Sequence, residues 1–165
     1  MGWTGVGRPI RPGVGGSVSM PDRVVPALAA ELGMETHPEG GWFVSTWTAG
    51  TTVETPNGTR PTATLIHFLL PAGEVSAWHS VLSDEVWLSH GPGELALQLG
   101  GSGEEPDADG PVHTLGPAAS GHPALFQVLV PAGTWQRTLP GTTEVLVSCL
   151  VSPGFDYADW RLFES

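Results

Sequence analysis

The sequence predicts an all-β fold, a single closed barrel or jelly roll with one short N-terminal helix. Three observations predict it. Gly and Pro fill 23 and 16 of the 165 positions, a density of turn formers that leaves no room for a helical bundle. Short apolar or alternating runs recur at regular intervals, separated by Pro-Asn-Gly, Pro-Ala-Gly and Gly-Pro-Gly turns. Only one stretch, residues 21–33, shows helical spacing.

Taken in chain order, the first 20 residues read as a flexible Gly/Pro-rich leader, with Met20 as an alternative start and 21–165 as the folded domain. The leader lacks the continuous apolar segment of a signal peptide, and no run approaches the roughly 20 apolar residues that span a bilayer. The expectation is a cytoplasmic protein. In 21–33, Asp22 is a candidate N-cap, Pro26 suits the first turn, Val25, Leu28, Ala29 and Leu32 share one face, and Gly33 is a C-terminal stop. Strands are expected at 42–48, 62–70, 74–79, 84–90, 94–99, 112–115, 124–130, 134–139 and 143–151. Between them, the acidic stretch 100–110 reads as a solvated hairpin loop, because its carboxylates would repel one another if buried.

Charge narrows the partners. The formal net charge is −11 and the six basic residues are all Arg, with Arg8 and Arg11 in the leader and Arg23, Arg60, Arg137 and Arg161 scattered singly. Nucleic acid and anionic membranes draw affinity from clustered Lys and Arg, so neither is expected. The one cysteine, Cys149, lies in the apolar run Val145-Leu-Val-Ser-Cys-Leu-Val and reads as an inert buried thiol.

The densest chemistry lies in Trp78-His79-Ser-Val-Leu-Ser-Asp-Glu85-Val-Trp87. If a hairpin brings its arms together, Ala77, His79 and Val81 share a face with Glu85, Trp87 and Ser89. A His and a Glu facing each other inside a barrel serve as an acid/base pair, as two metal ligands, or as a plain hydrogen bond that ties the hairpin.

These residues resemble the first motif of the cupin superfamily: Gly73 stands at its opening Gly, His79 at its first His, Glu85 at its Glu, and Gly91 and Gly93 flank its close. Pro131-Ala-Gly133-Thr-Trp-Gln136 is similar to the second motif. Three further signatures resemble the small single-domain cupins of the cupin-type-5 group: His37-Pro-Glu-Gly-Gly-Trp-Phe43, Trp78-His79 followed by Ser83-Asp-Glu-Val-Trp87, and Val151-Ser-Pro-Gly-Phe155. The likeness covers residues 24–163. It implies a double-stranded β-helix, or jelly-roll barrel, that forms a homodimer. Apolar segments Leu95–Leu99 and Phe126–Val130 are the expected cover across its two-fold axis.

Departures from the motifs are informative. The second His of the first motif falls on Val81, the His of the second on Gln136, and the Asn that follows on Pro140. Of the metal set that the resemblance implies, His79, Glu85 and the weak amide donor Gln136 remain, too few for a transition metal. His67, between apolar neighbours, is the one further donor weighed, whereas His90 has the opposite parity to Glu85, and His113 and His122 lie beside loops. No metal and no other cofactor is expected. A metal-free pocket lined by His67, Trp78 or Trp87, Ser89, Trp135 and Gln136 around His79 and Glu85 would still hold a small-molecule substrate. Trp42, Trp47 and Trp160 are assigned to the core. In the expected function, a metal-independent isomerase, epimerase or cyclase, His79 moves a proton while Glu85 sets its tautomer or acts as its partner. The alternatives are a non-catalytic small-molecule binder and a metal-dependent oxygenase or isomerase.

Overall fold

The computed structural model describes residues 24–116 and 125–164. The expected leader, Met20, the Asp22 cap and His122 lie outside them. The one helix, α1, spans Ala27–Leu32 and is shorter than the spacing suggested, with Pro26 at its N-cap. Gly33 ends it as expected, left-handed at φ 66° with its N–H returned to the Ala29 and Ala30 carbonyls.

Thirteen strands follow among the described residues: β1 Glu35–Thr36, β2 Trp42–Thr48, β3 Thr52–Thr55, β4 Gly58–Pro61, β5 Thr64–Leu70, β6 His79–Val81, β7 Asp84–Pro92, β8 Leu95–Leu99, β9 Val112–Leu115, β10 Gln127–Val130, β11 Gln136–Leu139, β12 Val145–Ser152 and β13 Trp160–Leu162. Six form one antiparallel sheet in the order β1-β2-β5-β12-β7-β10, and five form a second in the order β13-β6-β11-β8-β9. This is the double-sheet jelly roll that the turn pattern predicts. The β3–β4 hairpin, turned on Pro56-Asn57-Gly58, is an addition, because its polar strands carry no apolar run for a sequence reading to catch.

The expected β6–β7 hairpin does not form. The strands belong to different sheets, and β6 pairs with β11 and β13. Both still turn alternate residues inward, which sets His79 and Val81 on one wall and Glu85 and Trp87 on the other.

Between the sheets, one half of the barrel is packed solid. Trp87, Phe68, Leu70, Leu95, Leu97, Leu115, Val130, Val145 and Val147 form its core. Phe68 meets Trp87 edge-on with centroids 5.8 Å apart, closing this half against the hollow one. A second cluster lies on the outer face of the larger sheet, where Ala29, Leu28 and Leu32 of α1 cover Met34, Trp42 and Leu69.

Two sequence assignments change here. Trp47 is half-exposed beside a register shift in β2. The apolar residues of β8 are spent in the core and cannot cover a second copy, whereas Phe126 and Leu129 stand exposed near and on β10. No helix among the described residues is long and apolar enough to cross a membrane.

Leu97 is fully buried at the centre of the packed half. Leu97→Ala should therefore lower unfolding free energy by about 2–5 kcal/mol in urea denaturation, far more than Leu129→Ala on the exposed β10 face.

Candidate functional site

The hollow half of the barrel holds a cavity of about 240 Å³. That is below the roughly 300–1,000 Å³ that accommodates drug-sized ligands, so the cavity suits a small molecule. Ser45, Thr48 and Tyr157, all exposed, frame its mouth. Phe43, Ile66, Val151 and Phe155 form walls, and Phe68, His79, Glu85 and Cys149, all buried, form the floor.

Two polar residues come from the turn joining β1 to β2. His37 N–H donates to the Gly41 carbonyl at 3.1 Å and Gly40 N–H to the His37 carbonyl at 3.0 Å. The turn needs its glycines: Gly40 has φ 110°, and a Cβ there would lie 2.2 Å from the Val75 carbonyl oxygen, while one on Gly41, at φ 75°, would lie 2.7 Å from the Phe68 ring. Ala77 N–H donates to the Glu39 carbonyl at 2.7 Å and ties the turn to the strand leading into His79.

So held, the Glu39 side chain gathers three groups on one oxygen. Its Oε2 lies 3.3 Å from His79 Nε2, accepts from the Trp160 indole at 3.2 Å, and lies 3.5 Å from His37 Nδ1. Burial pushes Glu39 up to about 8, against the pull of the Trp160 hydrogen bond. It is a neutral carboxylic acid at pH 7. Burial and then the neighbouring His79 take His37 down to about 4, so this imidazole is neutral as well.

The tautomer of His79 follows from its other nitrogen. Nδ1 lies 2.8 Å from the Ala77 carbonyl oxygen, which only accepts, so Nδ1 carries the hydrogen and Nε2 presents a lone pair to Glu39. Burial lowers the His79 pKa, with Glu85 and the Ala77 bond opposing. A neutral Glu39 acid therefore faces a neutral His79 base. The backbone sets the tautomer, not Glu85 as the sequence suggested.

Glu85 is anchored from behind. Its Oε2 accepts from Gln136 Nε2 at 2.5 Å, and Gln136 Oε1 accepts from the Trp87 indole at 2.8 Å. The Cys149 thiol donates to Glu85 as well, and burial raises the pKa of both groups. Cys149 keeps its proton, in line with an inert thiol, but it lines the cavity.

Of the expected lining, the cavity brings together His79 and Glu85, with Gln136 and Trp87 behind them. The rest lie elsewhere. Gln136 and His79 pair in register and face inward, so Trp78 and Trp135, each one position earlier, face out: Arg137 stacks on Trp78 at 4.6 Å and Arg161 on Trp135 at 4.8 Å. His67 sits on the outer face of the larger sheet, bonded to Ser148 at 3.1 Å, because the inward parity of β5 belongs to Thr64, Ile66 and Phe68. Ser89 pairs with Val147 in the packed half. Trp160 is not core filler but the donor that holds Glu39.

A cupin-type metal does not fit these residues. Val81 offers no donor, both polar ends of Gln136 are engaged, His67 lies on the far side of its sheet, and His79 turns its free nitrogen to Glu39. Among the described residues no three His, Cys, Asp or Glu converge as ligands of one ion.

Sequence reasoning missed His37, Glu39 and Tyr157 as site residues. The signal was present in His37-Pro-Glu-Gly-Gly, where a His and a Glu precede two glycines that a close approach requires.

Residues 26–163 match the family model described as Cupin superfamily (DUF985). The fold superposes on a hypothetical protein from Leishmania major, 29% identical, with TM-score 0.67 over 82% of this chain and 84% of that one. A protein from Shewanella oneidensis, 30% identical, gives TM-score 0.69 over 83% of this chain and 82% of that one. Oxalate decarboxylase from Bacillus subtilis, 13% identical, shares the fold alone, with TM-score 0.54 over 78% of this chain and 29% of its own. No curated protein matches the sequence.

The Glu39 shift fixes a pH dependence. Above pH 6.5 the unfolded chain has shed the protons of Glu39, ordinarily 4.5, and of His37 and His79, ordinarily 6.5, while folded Glu39 keeps its own until about 8. The folded state then binds more protons, so stability falls as pH rises across this window, by about 1–2 kcal/mol from Glu39 alone. Urea denaturation should show the fall in the wild type, and Glu39→Gln should remove that share of it.

Proposed function

The chain belongs to the cupin superfamily, in the family described as DUF985, and on that premise we propose that it is a metal-independent isomerase, epimerase or cyclase acting on a small organic molecule by acid/base chemistry. The observation that supports this reading is the buried pair of Glu39 and His79, 3.3 Å apart in one cavity and holding opposite proton-transfer capacities.

In such a reaction His79 Nε2 takes the proton from a carbon next to a substrate carbonyl. The C–H electron pair moves into the carbonyl, and Glu39 gives its proton to the carbonyl oxygen, forming an enol. Return of the two protons, one to the opposite face or to a neighbouring carbon, completes the isomerisation with no net proton consumed. Both groups start in the state their role needs, because the barrel has already suppressed their charges. Glu85, fixed by Gln136 and Cys149, is the second carboxyl on the floor and holds the far end of the substrate.

Solvent exchange tests this on any substrate of the class. Mixtures of small carbonyl metabolites incubated in deuterium oxide should gain deuterium at carbon in the presence of wild type. The rate should drop by roughly 10²–10⁴-fold in His79→Ala and in Glu39→Gln. Equal exchange by both variants would exclude the pair as the catalyst. Binding without exchange would identify the non-catalytic binder.

A further inference from the structure

The walls of the cavity carry information about the charge of its ligand. Glu39 and Glu85 bring two carboxyls into it, and Phe43, Phe68, Phe155 and Tyr157 bring aromatic rings. Phe155 meets Tyr157 edge-on at 5.0 Å, and Tyr157 meets Trp160 edge-on at 5.8 Å, forming an aromatic corner beside Glu39. Among the described residues no Arg reaches the cavity. Arg60 pairs with Asp159 at 2.7 Å, and Arg137 and Arg161 lie over Trp78 and Trp135.

We propose that the cavity takes a small organic cation, an ammonium seated between the Glu39 carboxyl and the rings of Phe43, Phe155 and Tyr157. The inference rests on the reading of this cavity as the substrate site, though not on catalysis there. Ring faces carry negative potential and attract cations. Anionic ligands would meet two carboxyls, two imidazoles that burial holds neutral and, among the described residues, no guanidinium, inside a chain whose formal net charge is −11. Trp160, His79 and His37 all address Oε2 of Glu39, and none of these contacts engages Oε1.

The groups facing Glu39 make binding depend on pH. They are His37 on its own turn, His79 on β6, Glu85 on β7, Cys149 on β12 and Tyr157 near the C-terminus. Of these, His37 and His79 are held neutral by burial, and Glu85, Cys149 and Tyr157 are raised. Glu39, pushed up to about 8, is the group that ionises beside a fixed positive charge. A quaternary ammonium therefore displaces the Glu39 proton to solvent, taking the site in an ionised state that the carbonyl reaction does not use, and affinity rises as pH approaches about 8.

Calorimetry on the full chain tests this with choline, its uncharged carbon isostere in which a tert-butyl group replaces the trimethylammonium, and the matching carboxylate. Choline should bind at least about tenfold more tightly than the isostere, release a proton at pH 7 when buffers of different ionisation enthalpy are compared, and lose that preference in Glu39→Gln. Tyr157→Leu, at the exposed mouth, supplies a second variant should Glu39→Gln fail to fold, and it should weaken choline more than the isostere and so narrow the preference. Equal or tighter binding of the isostere or the carboxylate, or no ammonium binding at millimolar concentration, would overturn the inference. A cation that binds tightly in a protein that exchanges no deuterium with any carbonyl compound sustains this inference and removes the catalytic reading.

Discussion

The Glu39 carboxyl is held inside the barrel by a two-glycine turn, with an imidazole and an indole against one oxygen and no guanidinium within reach among the described residues. An acid in that position is cheaper to keep protonated than to ionise. The neutral acid in turn requires a neutral acceptor, which His79 supplies because the Ala77 carbonyl occupies its other nitrogen. His37 cannot relieve the site, since burial takes its pKa down to about 4. The protonation pattern of the whole cavity thus follows from one turn.

The barrel makes room for this by dividing its interior. Toward one end Leu, Val and Trp side chains from both sheets pack into one buried cluster, and Phe68 and Trp87 form the partition. Beyond the partition the inward positions pass to Ile66, Thr64, Val151 and the polar groups, whose shapes do not meet. The Arg60–Asp159 pair joins the β3–β4 hairpin to the segment that delivers Tyr157 and Trp160. A surface hairpin with no apolar run thereby takes part in shaping the cavity mouth.

Much of the fold was legible in the sequence because turn chemistry and alternation act locally. The Gly33 stop, eight of the nine expected strands and the inward parity of His79, Glu85 and Trp87 all follow from neighbours a few residues apart, whereas the strand expected at 74–79 forms only at its end, as β6 from His79 to Val81. The expected β6–β7 hairpin failed for the opposite reason: which strand a short apolar segment joins depends on sheet order, a non-local property. The same limit misplaced His67, Trp78 and Trp135, whose side of the sheet depends on a register set by distant partners. It also hid Glu39, which comes within 3.3 Å of His79 only after some forty intervening residues have closed the barrel. The replacement of metal ligands by Val81 and Gln136 was visible. That Gln136 serves instead as a clamp between Trp87 and Glu85 was not.

Proton positions decide the central claim. Neutron diffraction from a crystal at neutral pD should show deuterium on the Glu39 carboxyl, facing a bare His79 Nε2, and on His79 Nδ1 toward the Ala77 carbonyl oxygen. Deuterium on both ring nitrogens of His79 beside an ionised Glu39 would contradict the account.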